Sequence, residues 1–185
     1  MDILIEQKKP SKSDEWYTPV KAIEILVPFM KAKRFKKILC PFDTEESNFV
    51  QVFKRYSFEV IYSHIDTGTD FFNIEDFSNI DAIISNPPYS KRQAIIERLY
   101  EIRKPFAMLM NYNGLFDNRK RFVLFKNYGV EILVPSGRIA FFNNDHKAKT
   151  PMFQSVYVCN QMLNKQIEFA EMQDTQLTIF DKTED

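Results

Sequence analysis

Apolar runs alternate with amphipathic stretches along most of the chain, and this pattern predicts strands that alternate with helices. Strands are predicted at residues 36–42, 58–63, 81–85, 106–111 and 129–135, and helices at 46–56, 91–104 and 117–127. In the second of these helices, Ile95, Leu99 and Ile102 recur at helical spacing. Ser90 and Gln93 are spaced as in a capping box at the start of that helix.

The two ends of this pattern complete the predicted fold. Near the N-terminus, Thr18 is suited to cap a helix that begins with Pro19, and Pro28 interrupts that helix. Toward the C-terminus, apolar runs at 137–142 and 154–162 predict an antiparallel hairpin. The predicted fold class is therefore α/β: a Rossmann-like, mostly parallel twisted sheet with helices on both faces and a terminal antiparallel hairpin.

Length and hydropathy are those of an ordinary globular domain. The chain has 185 residues, of which 44% are hydrophobic, so we expect one domain over residues 1–170, with a flexible arm at 1–13 and a tail at 171–185. No apolar run approaches the roughly 18 residues of a membrane span. The polar N-terminal stretch is unlike a secretory signal, so we expect a cytoplasmic protein without a membrane partner.

Charge and thiol content narrow the candidate chemistry. The 25 acidic residues balance the 25 basic residues, so a nucleic-acid footprint must be local. Cys40 and Cys159 lie in apolar runs and are expected to be buried, unpaired thiols. His64 and His146 lack neighbours at metal-ligand spacing, so we expect no metal site.

The stretch NPPY, residues 86–89, follows the predicted strand at 81–85, where open α/β sheets bind their ligands. Asn86 offers an amide oxygen as acceptor, and Tyr89 offers a flat face for stacking. Pro87 and Pro88 lack an N–H group, so they stiffen the backbone and present only carbonyls. Two acceptors beside a stacking platform suit a planar ring that bears an amino group. A strand-to-helix turn without a function is the alternative.

Four further stretches accompany NPPY in order: DEWYTP (14–19), ILCPFDTEESNF (38–49), DFF (70–72) and the closing segment GRIAFF…PMFQSVYV (137–158). With NPPY, they resemble the motifs of S-adenosylmethionine-dependent amino methyltransferases, and in particular of phage-type DNA adenine-N6 methyltransferases. The resemblance covers roughly residues 14–162. It implies the class I Rossmann-like methyltransferase fold, S-adenosylmethionine as cofactor, and DNA as a partner whose target adenine is flipped out of the duplex.

The resemblance also implies roles for the matched residues around the reaction. Asn86 and the carbonyl of Pro87 would accept hydrogen bonds from the target amine, Pro88 would stiffen the turn, and Tyr89 would stack on the base. Two such acceptors would direct the lone pair of the amine toward the methyl group, which is positioning with electrostatic stabilisation.

Cofactor binding is implied for a second set of residues. Asp70 and the backbone of Phe71 would bind the cofactor's adenine, and Asp43 and Ser47 would line its methionine end. Pro41 belongs to the same first loop. That loop contains no glycine, although glycine usually permits close backbone approach to a ligand there.

The N-terminal motif and the end of the second strand supply the remaining cofactor residues. Trp16 belongs to the N-terminal motif, and Thr18 with Pro19 would close over the methionine end. An acidic residue usually holds the ribose hydroxyls in this family, but here His64 takes that position and Asp66 follows two residues later. Either could contact the ribose.

Five basic residues are candidates for contacts with DNA phosphates: Lys91, Arg92, Arg119, Lys120 and Arg121. Three of them belong to the segment 113–126, in which basic and aromatic residues interleave. A solvated helix face would produce the same pattern.

The stretch QLTIF, residues 176–180, resembles the peptide by which bacterial proteins dock on the replicative sliding clamp. Gln176, Leu177, Ile179 and Phe180 would then be the docking residues, and tethering would raise the local concentration of DNA. A last strand, or a segment packed on the core, is the alternative.

Methyl transfer to the exocyclic amine of adenine in DNA is the function that these motifs favour. RNA or a protein glutamine are alternative substrates, because the same tetrad serves them. A non-catalytic module of the same fold that binds DNA or a clamp is the alternative from another functional class.

Overall fold

Six of the predicted strands and one further strand pair into a seven-stranded sheet in the computed structural model, which describes residues 17–142, 148–149 and 153–173. Its strands are β1 (Lys37–Cys40), β2 (Glu59–Tyr62), β3 (Ala82–Ser85), β4 (Phe106–Asn111), β5 (Glu131–Pro135), β8 (Ser155–Asn160) and β9 (Ile167–Ala170). They lie in the order β2-β1-β3-β4-β8-β5-β9. A separate antiparallel pair is formed by β6 (Phe141–Phe142) and β7 (Ala148–Lys149).

Helices cover both faces of this sheet because side chains alternate along each strand. The helices are α1 (Val20–Glu24), α2 (Val27–Ala32), α3 (Asn48–Arg55), α4 (Arg92–Ile102) and α5 (Arg119–Tyr128). Ile38 and Cys40 share one core cluster with α1, α2 and α3, whereas Leu39 and Ile83 share the other with α4 and α5. No helix of the described residues is long and apolar enough to cross a membrane.

The predicted α/β class is confirmed: the sheet is Rossmann-like and mostly parallel, with helices on both faces. Strands β1 to β4 pair in parallel, and β8 enters antiparallel between β4 and β5. The strand order reverses at β1, since β2 lies on one side of it and β3 on the other. Ligands of such sheets bind at this switch point, beside the loops that leave β1 and β3.

The terminal hairpin is built differently from the prediction. The run 154–162 forms β8, but its antiparallel neighbours are β4 and β5, and the run 137–142 contributes only the two residues of β6. The edge strand β9 was not predicted. Its large apolar residues, Ile167 and Phe169, are exposed, so they lack the burial pattern by which short strands are recognised.

Two predicted helix caps are wrong, and the prediction about Pro28 is confirmed. The cap position of α1 is Pro19, so Thr18 lies one residue outside it. Ser90 lies in a 3₁₀ turn, and α4 begins at Arg92 without a side-chain cap. Pro28 occupies the first turn of α2, where a missing N–H costs nothing, so the segment forms two short helices.

Some of the remaining predicted residues lie within the described part of the chain, and others lie outside it. Cys40 and Cys159 are confirmed as buried free thiols. Trp16, His146 and the predicted clamp-docking residues at 176–180 lie outside the described residues.

Two of the predicted phosphate-binding residues instead hold the loop between β4 and α5. The Arg121 side chain is buried and donates to the carbonyls of Leu115 (2.8 Å) and Gly114 (2.7 Å) and to the amide oxygen of Gln93 (2.7 Å). Arg92 donates to three carbonyls of the same loop. These guanidinium groups are engaged inside the protein, and contact of either residue with DNA phosphates stays a prediction.

Replacing Arg121 should therefore destabilise the fold. We expect Arg121→Leu to lower the free energy of unfolding by about 2–4 kcal/mol, because buried carbonyls lose charged donors. Arg119→Leu, an exposed arginine of the same helix, should change it by no more than about 0.5 kcal/mol. Urea denaturation of both variants measures the difference, and equal effects would contradict the structural role of Arg121.

Candidate active site

Two neighbouring cavities open at the switch point of the sheet. The larger has a volume of about 530 Å³ and the smaller about 170 Å³. Phe42, His64 and Asn86 line both cavities, so the two are adjacent. The predicted residues Pro41, Asp70, Phe71, Pro87, Pro88, Tyr89 and Lys91 line the larger cavity, and Thr18, Asp43 and Ser47 line the smaller one.

Asn86 carries the most informative pair of atoms in this site. Its Nδ2 donates to the Oγ1 of Thr18 at 3.3 Å. Its Oδ1 is buried and has no hydrogen-bond partner among the described residues. An unpaired buried acceptor costs free energy and is therefore rare without a function. The fold thus holds one end of the amide and leaves the other end without a hydrogen-bond partner among the described residues.

Two prolines and a tyrosine form the turn that follows Asn86. Pro87 is buried and Pro88 exposed, and neither carries an N–H group. Tyr89 is 50% exposed and packs edge-on against Phe153, with 6.3 Å between ring centroids. Both rings line the larger cavity, and Tyr89 remains half exposed beside it.

Asp43 connects three strand ends below this turn. It is 6% exposed, its carboxylate accepts a hydrogen bond from the Oγ of Ser85, and its N–H donates to the carbonyl of Ser63 at 3.1 Å. Burial raises the pKa of Asp43 from 3.8 to about 6, and hydrogen bonds from Ser85 and Ser47 partly offset that rise. A buried carboxylate next to a cavity favours a cationic ligand group.

The glycine-free loop after β1 turns without any left-handed residue. No position between 41 and 47 has a positive φ. The N–H of Thr44 donates to the Oγ of Ser47 at 3.0 Å, and the N–H of Ser47 returns a bond to the carbonyl of Thr44 at 3.1 Å. Asn48, the first residue of α3, then donates to the carbonyl of Thr18 at 2.8 Å. Glycine is not needed here because side chains close the turn.

Asp70 and Phe71 form a second polar corner at the larger cavity. One Asp70 oxygen accepts from the N–H of Phe72 at 3.1 Å, and the other lies 3.9 Å from the Nζ of Lys91. Phe71 begins a 3₁₀ turn whose backbone hydrogen bonds are donated by the N–H groups of Asn73 and Ile74, while the N–H of Phe72 donates to the Asp70 side chain, so none of these bonds uses the N–H of Phe71. A carboxylate oxygen beside a backbone N–H matches the edge of an adenine ring. Lys91 therefore lies beside Asp70 in the cavity wall.

His64, and not Asp66, reaches the cavities. The Nδ1 of His64 accepts from the N–H of Asp66 at 3.2 Å, so a neutral imidazole carries its proton on Nε2. The Asp66 side chain is 75% exposed and lines neither cavity. Of the two residues considered for the ribose hydroxyls, His64 is the one that the fold places at the site.

Several lining residues were not predicted from the sequence. They are Tyr17, Phe42, Thr44, Asn48, Phe49, Ile65, Thr69, Phe72, Phe141 and Phe153. Tyr17, Phe42 and Phe72 are direct neighbours of predicted residues, so proximity in sequence was the available signal. Phe141 and Phe153 belong to the closing segment 137–158 that contributes to the resemblance, but no role in the site was predicted for either. Pro19 was predicted but lines neither cavity.

The chemical character of the site is that of hydrogen bonding and aromatic contact. Within the described residues, no group of three or more His, Cys, Asp or Glu side chains is placed to hold a metal ion.

Asp43 gives the stability of the protein a defined pH dependence. Because its pKa is about 6 when folded and 3.8 ordinarily, the folded chain binds more protons than the unfolded chain between those values, and stability falls as pH rises through that window. Asp43→Asn should abolish this fall and raise the free energy of unfolding at pH 7 by about 1–3 kcal/mol. Urea denaturation at pH 5 and pH 7 tests this, with exposed Asp117→Asn as control. A destabilised Asp43→Asn variant at pH 7 would contradict it.

No protein-family model and no curated protein matches the chain. Among solved structures, the chain is similar to a release factor-specific protein-(glutamine-N5) methyltransferase from Alicyclobacillus acidocaldarius subsp. acidocaldarius DSM 446. The identity is 12%, the match covers 77% of this chain and 93% of that chain, and the TM-score is 0.35. The strand order and the connections described above therefore define the fold class.

Proposed function

We propose that the protein transfers a methyl group from S-adenosylmethionine to the exocyclic amine of adenine in DNA. The observation that carries this proposal is the unpaired, buried Oδ1 of Asn86 at the junction of the two cavities. The amide is held from the Thr18 side, so its free oxygen is an acceptor at a defined position. An amine donor is the ligand group that would complete its hydrogen bonding.

The residues present fit S-adenosylmethionine. The larger cavity lies within the volume range of small-molecule sites and offers Asp70 and Phe71 to an adenine ring. The smaller cavity offers the Asp43 carboxylate to the ammonium of the methionine end, and His64 lies where the two cavities meet. When bound, the cofactor supplies an electrophilic methyl group.

The chain's own groups would act on the target by holding it. Asn86 Oδ1 and the carbonyl of Pro87 would accept hydrogen bonds from the amine, which would orient its lone pair and increase the electron density on the nitrogen. The nitrogen would gain the methyl group as the methyl carbon–sulfur bond breaks, and would then release one proton to solvent. Tyr89 supports the ring of the base from its exposed side. The base must leave the duplex stack to reach this depth.

A protein glutamine is the second candidate substrate, because its carboxamide NH2 would satisfy the same two acceptors. The aromatic wall of Tyr89 and Phe153 favours a ring over a flexible carboxamide side chain. Labelled methyl transfer to DNA, RNA and protein separates these substrates. A protein that shows no saturable S-adenosylmethionine binding would instead be a non-catalytic module.

Thr18 should act as a positioning residue for Asn86. Thr18→Val keeps the shape of the buried side chain but removes the hydroxyl that accepts from Nδ2, so kcat should fall about tenfold while cofactor affinity stays within about twofold. Thr18→Ser retains the hydroxyl and should restore most of the rate. Equal kcat in the Val and Ser variants would show that the bond does not orient the amide.

Asn86 and Asp70 should separate transfer from cofactor binding. Asn86→Ala should abolish detectable transfer and leave the dissociation constant of S-adenosylmethionine nearly unchanged, because it contacts the target amine. Asp70→Ala should raise that dissociation constant about tenfold or more, because the adenine loses its carboxylate acceptor. Calorimetric titration and single-turnover transfer measure the two effects. Loss of cofactor binding in Asn86→Ala would place Asn86 in the cofactor pocket instead.

A further inference from the structure

A row of exposed aromatic side chains leads away from the mouth of the larger cavity. It consists of Tyr89, Tyr112 and Phe116, which are 50%, 48% and 48% exposed. Because β4 is the parallel neighbour of β3, the loop after β4 emerges beside the turn at 86–89. The N–H of Tyr112 donates to the carbonyl of Gln154 at 2.9 Å, next to Phe153, whose ring packs against Tyr89. The row therefore begins at the candidate active site.

The loop that carries this row is held in place by the protein. Arg92 donates to the carbonyls of Asn111, Asn113 and Gly114, and Arg121 donates to those of Gly114 and Leu115. The rings of Tyr112 and Phe116 pack edge to face with 6.1 Å between centroids, and Phe116 in turn contacts buried Phe125. The aromatic faces are thus exposed on a supported loop, although large apolar surface is ordinarily buried.

The row ends at a locally basic surface. Between residues 111 and 128, the exposed charged residues are Arg119, Lys120 and Lys126 against Asp117. The guanidinium of Arg119 lies 5.8 Å from the ring of Phe122, itself 51% exposed. Lys120 lies 3.7 Å from Glu97 and is 73% exposed. The whole chain has a net charge of zero. The excess of positive charge between residues 111 and 128 is therefore a local feature of the surface beside the site and not a property of the whole chain.

We propose that this aromatic row binds unpaired nucleotides that flank the target base, with Arg119 and Lys120 contacting their phosphates. Aromatic faces next to cations bind single strands because every base can stack, whereas the bases of a duplex are already stacked on each other. The inference rests on the proposed nucleic-acid substrate and specifies its form. The protein should bind an unpaired strand more tightly than the same sequence in a duplex.

Fluorescence anisotropy of the full chain with a labelled single strand of about 12 nucleotides tests the row without requiring transfer. Tyr112→Ala and Phe116→Ala should each weaken binding about tenfold. Phe116→Trp should retain affinity, whereas Phe116→Leu should lose it, because leucine keeps apolar bulk but not a stacking face. Phe169→Ala is the matched control, since Phe169 is 79% exposed on edge strand β9, away from the site. It should bind as the parent does.

Salt dependence supplies a second readout for the cationic end of the row. Arg119→Gln and Lys120→Gln should each reduce the slope of log affinity against log salt by about 0.7, the value for one phosphate contact on a single strand. The aromatic variants should leave that slope unchanged.

The outcomes separate this inference from the proposed function. If the parent protein binds the single strand but transfers no methyl group, the proposed methyltransferase function is overturned and the binding role of the aromatic row stands. If the protein transfers the methyl group but Tyr112→Ala and Phe116→Ala bind the single strand as tightly as the parent, the binding role of the aromatic row is overturned and the proposed function stands. Equal affinity for the duplex and the single strand would also overturn the aromatic row as a binding site. So would a loss of single-strand affinity in Phe169→Ala equal to that in the row variants. A third contradicting result would be that the parent binds no nucleic acid and that the row variants impair methylation of a protein substrate.

Discussion

The arrangement of the site depends on two side-chain hydrogen bonds that converge on consecutive residues. Ser85 donates to the carboxylate of Asp43, and Asn86 donates to the hydroxyl of Thr18. The first bond joins the ends of β1 and β3 across the switch point, and the second joins β3 to the segment before α1. Ser85, Asp43 and Thr18 are buried and Asn86 is partly buried, so the bonds form in surroundings where they are strong and where an unpaired polar atom is costly. The position of the free amide oxygen follows from them.

This arrangement has a thermodynamic cost that the rest of the fold must offset. A buried carboxylate at position 43 and an unpaired acceptor at position 86 both oppose folding. Two core clusters, one on each face of the sheet, supply the opposing hydrophobic stabilisation. Destabilising polar groups that concentrate at the carboxyl ends of neighbouring strands are typical of binding and catalytic sites, where the ligand provides the hydrogen-bond and charge partners that the protein does not. Stability and ligand affinity should therefore change in opposite directions when Asp43 is neutralised.

The sequence predicted those features that depend on local pattern. The apolar runs located β1 to β5, and NPPY located the polar turn, because strand burial and proline stiffness are encoded within a few residues. Features that depend on distant partners were not predictable. The choice between His64 and Asp66 depends on which side chain turns toward the cavities, and the pairing of Asp43 with Ser85 spans 42 residues. The burial of Arg121 was not predictable because a charged residue on an amphipathic helix is ordinarily exposed, whereas here its side chain is buried by contacts with the preceding loop.

The glycine-free loop after β1 bears on how proteins of this fold are recognised. A search pattern that demands glycine after the first strand would pass over this chain, in which no residue between 41 and 47 has a positive φ. A more discriminating signature here is the spacing of Asp43, Ser47 and Asn48, since these side chains replace what glycine ordinarily provides. Chains that share that spacing upstream of an NPPY turn would be expected to share this loop geometry, whatever their overall divergence.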